Sequence, residues 1–233
     1  MKLFEKLGRF FKDSHSNRTG HDAMAYPVVY SEEALEAIEK HINTYFGKID
    51  FAMHEIVSPD IHVDINVIPP TPQRNYYTLT TMGMGAYAMA TPGEYSHFNR
   101  AELVITLPPN WDVKGTDEVW YWPLRWLKIL ARFPLENNTW LCYGHTIESK
   151  EPFAKNTNLS AIALADAGIT FGDAAVCCNM PDGSNVHFYH AYPIYKDEMD
   201  FKLKAGFNAL MERLPPNFTV DIARKSVISP TQK

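Results

Sequence analysis

The chain has 233 residues, 45% of them hydrophobic and 13% aromatic, enough to bury a sizeable core and to exclude disorder over most of its length. Its formal charge of −5 gives no general attraction to a phosphate backbone, which sets nucleic-acid partners aside. Cys142 and the adjacent Cys177 and Cys178 make no disulfide framework, and no run reaches the ~18 apolar residues of a membrane span; both features point to a cytoplasmic protein.

Residues 1–12 place Leu3, Phe4, Leu7, Phe10 and Phe11 on one helical face, with Lys2, Lys6, Arg9 and Lys12 elsewhere. This segment is expected to pack on the body or on a partner, and a membrane-surface scaffold attached through it is a further reading. Residues 13–20 are polar and turn-rich, so residues 1–30 are set apart from a domain over 31–233. Ser31 then predicts a helix cap, with Glu32 and Glu33 in the first turn and Leu35, Ile38, Ile42, Tyr45 and Phe46 on one face, ending at Gly47. Residues 51–57 and 61–68 read as strands of a hairpin around Ser58-Pro59-Asp60, which puts His54 opposite Asp64 and Ile56 opposite His62.

An alternating segment from Tyr76 runs into Gly83 and Gly85, and a second apolar segment covers 101–107 before Pro108-Pro109. After a charged loop over 112–118, Pro123 fits an early position of a largely buried helix whose apolar side includes Trp126, Leu127, Ile129, Leu130 and Phe133, ending before Pro134. Arg125, Lys128 and Arg132 lie on its other side. Residues 140–143 read as a short strand, and 174–180 and 185–191 as a hairpin around Pro181-Asp182-Gly183-Ser184. A last helix from Lys196 carries Met199, Leu203, Phe207, Leu210, Met211 and Leu214 as one stripe and stops at Pro215. The order is that of an α+β single domain: a mixed, mainly antiparallel sheet with three packed helices plus the N-terminal one.

Residues 83–88 fit the G-x-G-x-x-G/A dinucleotide pattern, but Pro92-Gly93 arrive too soon for the helix that would hold a pyrophosphate. The glycines are read as a sharp bend, and no cofactor is expected. Near the expected distance Glu102 supplies an acid, though within a strand. His187 and His190 would chelate a metal on a helix; on a strand they point to opposite faces. The row His54, His62 and Asp64 is the better metal geometry and supports a metal-dependent hydrolase as the alternative function, although a hydrogen-bonded polar patch is the commoner outcome. Cys142 and His145 lie near each other without a nucleophile signature, and no catalytic motif is found.

Tyr76-Tyr77-Thr78-Leu79-Thr80-Thr81-Met82-Gly83-Met84 and Ala101-Glu102-Leu103-Val104-Ile105-Thr106-Leu107-Pro108 with Trp111 resemble the Suppressor of fused domain family. Trp122-Pro123-Leu124, Leu130-Ala131-Arg132, Gly144-His145-Thr146-Ile147 and Pro193-Ile194-Tyr195-Lys196-Asp197-Glu198-Met199 are similar in the same order, so the likeness runs from about His54 to about Leu214. It implies a non-catalytic domain that binds another protein. The animal member holds an extended peptide between two lobes, whereas bacterial members are often single-domain proteins of this chain's size, many of them thought to be immunity proteins that neutralise a toxin. From the resemblance, Phe133 and His145 are candidate partner contacts. His62, Asp64 and Arg100 join them from the polar strand face and the loop before residue 101. The charge of −5 suits a basic partner such as a nuclease toxin.

Overall fold

The computed structural model of the chain describes residues 27–228. The helix expected in residues 1–12 and most of its linker lie outside them. Eight strands form one sheet: β1 (Phe51–Met53), β2 (Asp64–Ile68), β3 (Tyr77–Met82), β4 (Ala101–Leu107), β5 (Thr146–Glu148), β6 (Ala161–Asp166), β7 (Cys177–Asn179) and β8 (Asn185–Ile194). Their order is β1-β2-β3-β4-β8-β6-β5, with β7 also paired to β8, and every pairing is antiparallel except β4 with β8.

The centre is β4, all of whose residues are buried. It is buried on both faces because both are covered; one carries apolar side chains alone, the other Val104 between the hydrogen-bonded Glu102 and Thr106. Helix α2 (Glu118–Asn137) lies over the face that carries Leu103, Ile105 and Leu107, along with Ile65, Val67, Leu79 and Leu164 of the neighbouring strands. On the opposite face, α1 (Glu32–Tyr45) packs Ile38, Ile42 and Phe46 against Val104, Val186 and Phe188. Beside it, a third cluster brings Met199, Phe207 and Leu210 onto Ala161, Ala163, Tyr192 and Ile194. Full burial of each such aliphatic side chain contributes about 1.5–3 kcal/mol. Ser31 caps α1 as expected, accepting from the Ala34 N–H, and Gly47 follows with φ +120°.

Several local expectations need correction. The first hairpin strand stops at Met53, because the Glu55 N–H donates to the Asp64 side chain and leaves the ladder. Ile56 is therefore not opposite His62; it projects into solvent. Asp117 caps α2, so the helix takes in Glu118 from the expected loop, and it continues through Pro134 to Asn137, where Asn138 turns left-handed (φ 47°). Residues 140–143 form no strand, while β6 forms without an alternating pattern because both of its faces are covered. The last helical stripe breaks at Gly206 (φ 92°) into α4 (Lys196–Ala205) and α5 (Phe207–Met211), leaving Leu203 exposed; α3 is the short turn Gly168–Phe171. The hairpin around Gly183 forms with Cys177 opposite His187. Cys178 faces inward, where burial pushes its thiol up to about 11.

Candidate partner-binding site

The polar row assembles as the register dictates. Continuing the β1–β2 pairing one step sets His54 against Asp64, and His54 Nδ1 lies 2.8 Å from Asp64 Oδ2. His62 Nε2 is 3.1 Å from Oδ1, which also accepts the Glu55 N–H at 2.9 Å. Both imidazoles are thus aimed at one carboxylate and not at a shared point in space. Among the described residues no group of three or more His, Cys, Asp or Glu side chains is arranged to hold a metal ion.

Ser58 Oγ sits 2.8 Å from His62 Nδ1, giving a serine–histidine–aspartate order that has the connectivity of a hydrolase relay. The serine hydroxyl, however, donates to Glu55 Oε2, also at 2.8 Å. Arg132 of α2 reaches the same oxygen at 2.6 Å, Asp60 Oδ1 at 3.1 Å and the Ile61 carbonyl at 3.0 Å. Burial pushes the Glu55 carboxyl up, but Ser58 and Arg132 outweigh it and leave the group below its ordinary range. The network braces loop 54–63 against α2.

Arg100 is engaged in the same structural way, donating to the carbonyls of Gly85 and Ala86 at 2.7 Å each. Those carbonyls belong to the glycine bend, where only one short helical turn, Met84–Ala86, follows Gly83. The bend has a purpose that sequence reasoning missed. Glu102 is fully buried on the α1 face of β4, and its Oε1 accepts from the Gly83 N–H (2.9 Å), the Gly85 N–H (3.0 Å) and the Tyr30 hydroxyl (2.8 Å). Thr81 donates to Oε2 at 2.5 Å. The backbone concavity that resembled a phosphate cradle is filled by the protein's own carboxylate. A Cβ on Gly83 (φ 128°) would lie 1.9 Å from the His62 carbonyl oxygen, so that position requires glycine, and one on Gly85 would lie 2.2 Å from the Tyr30 hydroxyl and displace it. The available signal was a lone acid in a strand that is otherwise apolar or hydroxylic, close to two unobstructed glycine N–H groups.

His145 belongs to a different feature. After α2 ends, the chain turns at Asn138 and presents Trp140, whose ring stacks on Tyr95 (centroids 5.3 Å apart) and meets His145 edge-on at 4.9 Å. The loop bearing Tyr95 is held there by Ala90 N–H to the Thr139 carbonyl and Leu141 N–H to Met89 Sδ. Tyr143 stands on Phe207 at 5.0 Å and donates to Asn208 Oδ1 at 3.1 Å. Tyr95 and Tyr143 are each 41% exposed, and Trp140 and His145 are half-buried. Burial holds His145 below the usual imidazole range, with the Trp140 backbone partly opposing it. Phe133, on α2 itself, packs at the margin of the core. The result is a partly exposed aromatic surface on a fixed backbone, a composition that suits a protein partner.

The family model of the Suppressor of fused protein (SUFU) matches residues 59–225. The chain belongs to the SUFU family. A relative from Ureaplasma parvum serovar 3, uncharacterized protein UU111, is 25% identical over 204 residues, covering 85% of this chain and 98% of its own. A SUFU homolog of Neisseria gonorrhoeae has the same fold at 14% identity, with TM-score 0.61 over 85% of this chain and 98% of that one. The Sufu of a Sufu–Fu complex superposes with TM-score 0.58 at 15% identity, over 87% and 93% of the two chains. Drosophila Suppressor of Fused gives 0.57 at 14% identity, where 84% of this chain matches 51% of the longer fly protein. The SUFU fold here is the α+β single sheet expected from sequence, and no described helix is long and apolar enough to cross a membrane.

Proposed function

We propose that this SUFU-family chain is a non-catalytic protein-binding module of the cytoplasm, an immunity or sequestering protein that neutralises its partner by covering it. The observation that carries this reading is the aromatic surface of Tyr95, Trp140, Tyr143 and His145, with rigid rings on a braced backbone. Large amphipathic rings lose little entropy on binding, and such residues dominate interface energies. The family supports protein binding as well, since one structural neighbour is a Sufu solved as its complex with Fu. The net charge of −5 favours a basic partner such as a nuclease toxin. Of the residues nominated from sequence, His145 contacts the partner directly, whereas Phe133 packs against the core of the domain. His62, Asp64 and Arg100 act through the backbone they hold.

The test is affinity capture of the tagged full chain from its native cells, alongside Tyr95→Asp/Tyr143→Asp. A protein recovered in equal amount with wild type and lost with the variant is expected. Recovery of none, or retention by the variant, contradicts the reading.

A further inference from the structure

Helix α1 turns an acidic row outward. Glu32, Leu35, Glu36 and Glu39 recur at i, i+3, i+4 and i+7 and are all exposed, while Ile38, His41 and Ile42 on the other side are buried. Glu32 and Glu33 suit the positive end of the helix dipole, but Glu36 and Glu39 lie beyond the first turn, where carboxylates in one row repel. Among the described residues none of Glu32, Glu36 and Glu39 forms an ion pair, and Lys40, the one lysine or arginine of the helix, is not bound to them. Apolar surface borders the row: Leu35 is 38% exposed and Val29, just ahead of the Ser31 cap, 58%.

The chain carries a segment of matching pattern. Lys2, Lys6 and Arg9 recur at i, i+4 and i+7, the spacing of Glu32, Glu36 and Glu39, so on a helix they make a cationic row of the same length, about 10 Å. Leu3 and Phe10 border that row as Leu35 borders the acidic one. The tether also fits. The described chain begins at Pro27, and Val28 is fixed shortly before α1: its N–H donates to the Asp60 carbonyl at 2.7 Å and its carbonyl accepts from the His62 N–H at 3.1 Å. Residues 13–26 can span up to roughly 45 Å, against about 20 Å for the whole of α1, so residues 1–12 reach any point on it, and the tether makes the encounter intramolecular.

We infer that residues 1–12 dock as a helix on the outward face of α1, with Lys2, Lys6 and Arg9 against Glu32, Glu36 and Glu39 and with Leu3 and Phe10 over Leu35 and Val29. The contact is largely electrostatic and exposed, so salt weakens it. Hydrogen exchange read by mass spectrometry on the full chain tests it, with Glu36→Lys/Glu39→Lys, Lys6→Glu/Arg9→Glu and the variant carrying all four changes. In wild type the amides of residues 1–12 should exchange more slowly than in the free 1–12 peptide at every protein concentration, and this protection should fall as salt rises. Each pair of changes should abolish it and the four together restore it, while the amides of β4 stay protected throughout and show that the body is folded. Exchange of residues 1–12 at the free-peptide rate in wild type overturns the inference, as does protection that survives Glu36→Lys/Glu39→Lys or that the four changes together fail to restore. Protection that grows with protein concentration gives the segment to a second copy, and protection that needs phosphatidylcholine–phosphatidylserine vesicles gives it to lipid; either result overturns the inference as well.

Discussion

Replacing Tyr30 with Phe tests the Glu102 nest with a single atom. The ring keeps its place between α1 and the sheet, and only the hydroxyl that donates to Oε1 at 2.8 Å is removed. A hydrogen bond to a charged group contributes about 1.5–3 kcal/mol, and for a chain of this size each kcal/mol moves Tm by roughly 2–4 °C. The variant should therefore melt ~3–12 °C lower and lose about 1.5–3 kcal/mol in urea with an unchanged m-value. The pH dependence follows from the carboxyl. Burial holds Glu102 above its usual range, with its donors Thr81, Gly85, Gly83 and Tyr30 opposing that rise. The folded chain thus takes up this proton at a higher pH than the unfolded chain, so the group's contribution to stability falls as pH rises through that window and is constant above it. Losing one donor pushes the carboxyl further up, which makes the defect largest at neutral pH and smaller as the acid protonates. A neutral-pH loss under ~0.5 kcal/mol, or a defect that grows towards acid, would refute the reasoning.

Other outcomes follow from the same structure. His190 is fully buried between Thr106 and Thr170, and burial pushes it down to about 3. The unfolded chain takes up this proton first, so stability should be complete above the free imidazole value and fall as pH drops towards 3, by about 2 kcal/mol at pH 5. His190→Asn should flatten that part of the urea stability profile, and an unchanged slope would count against it. Arg132→Met should free loop 54–63 and destabilise by about 3 kcal/mol, with hydrogen exchange at residues 54–63 rising well before the rest. Glu198 and Arg224 form a doubly bonded ion pair, 2.5 and 2.6 Å, that fastens the C-terminal segment over β8. Arg224→Met leaves a buried carboxylate without its cation and should lose about 3–5 kcal/mol in urea, against near-wild-type stability for Glu198→Gln/Arg224→Met only if desolvation dominates the pair.

How much of this was legible depended on whether a single segment held the signal. Residues 101–107 announced themselves as a strand because the run is apolar and ends at a proline pair, and the Gly183 turn fixed its hairpin. His54 met Asp64 because strand register is set by counting. The glycine pattern was rightly denied a cofactor helix, yet its partner Glu102 was seen only as a strand residue, since the nest combines Tyr30, the glycines and β4 from three parts of the chain. Alanine-rich β6 shows no alternation because it is covered on both faces. The aromatic surface was invisible for a related reason: Tyr95 and Trp140 belong to separate loops, and only the turn at Asn138 brings their rings together.

Titration calorimetry with the captured partner measures directly whether the aromatic surface binds a protein. Wild type should bind one partner per chain, and Tyr95→Ala and Tyr143→Ala should each weaken Kd by roughly ten-fold or more, as truncation of an interface anchor does. Ile56→Asp/Val57→Asp should leave that Kd unchanged. Equal affinity for wild type and both tyrosine variants would contradict the account and place the partner on another face.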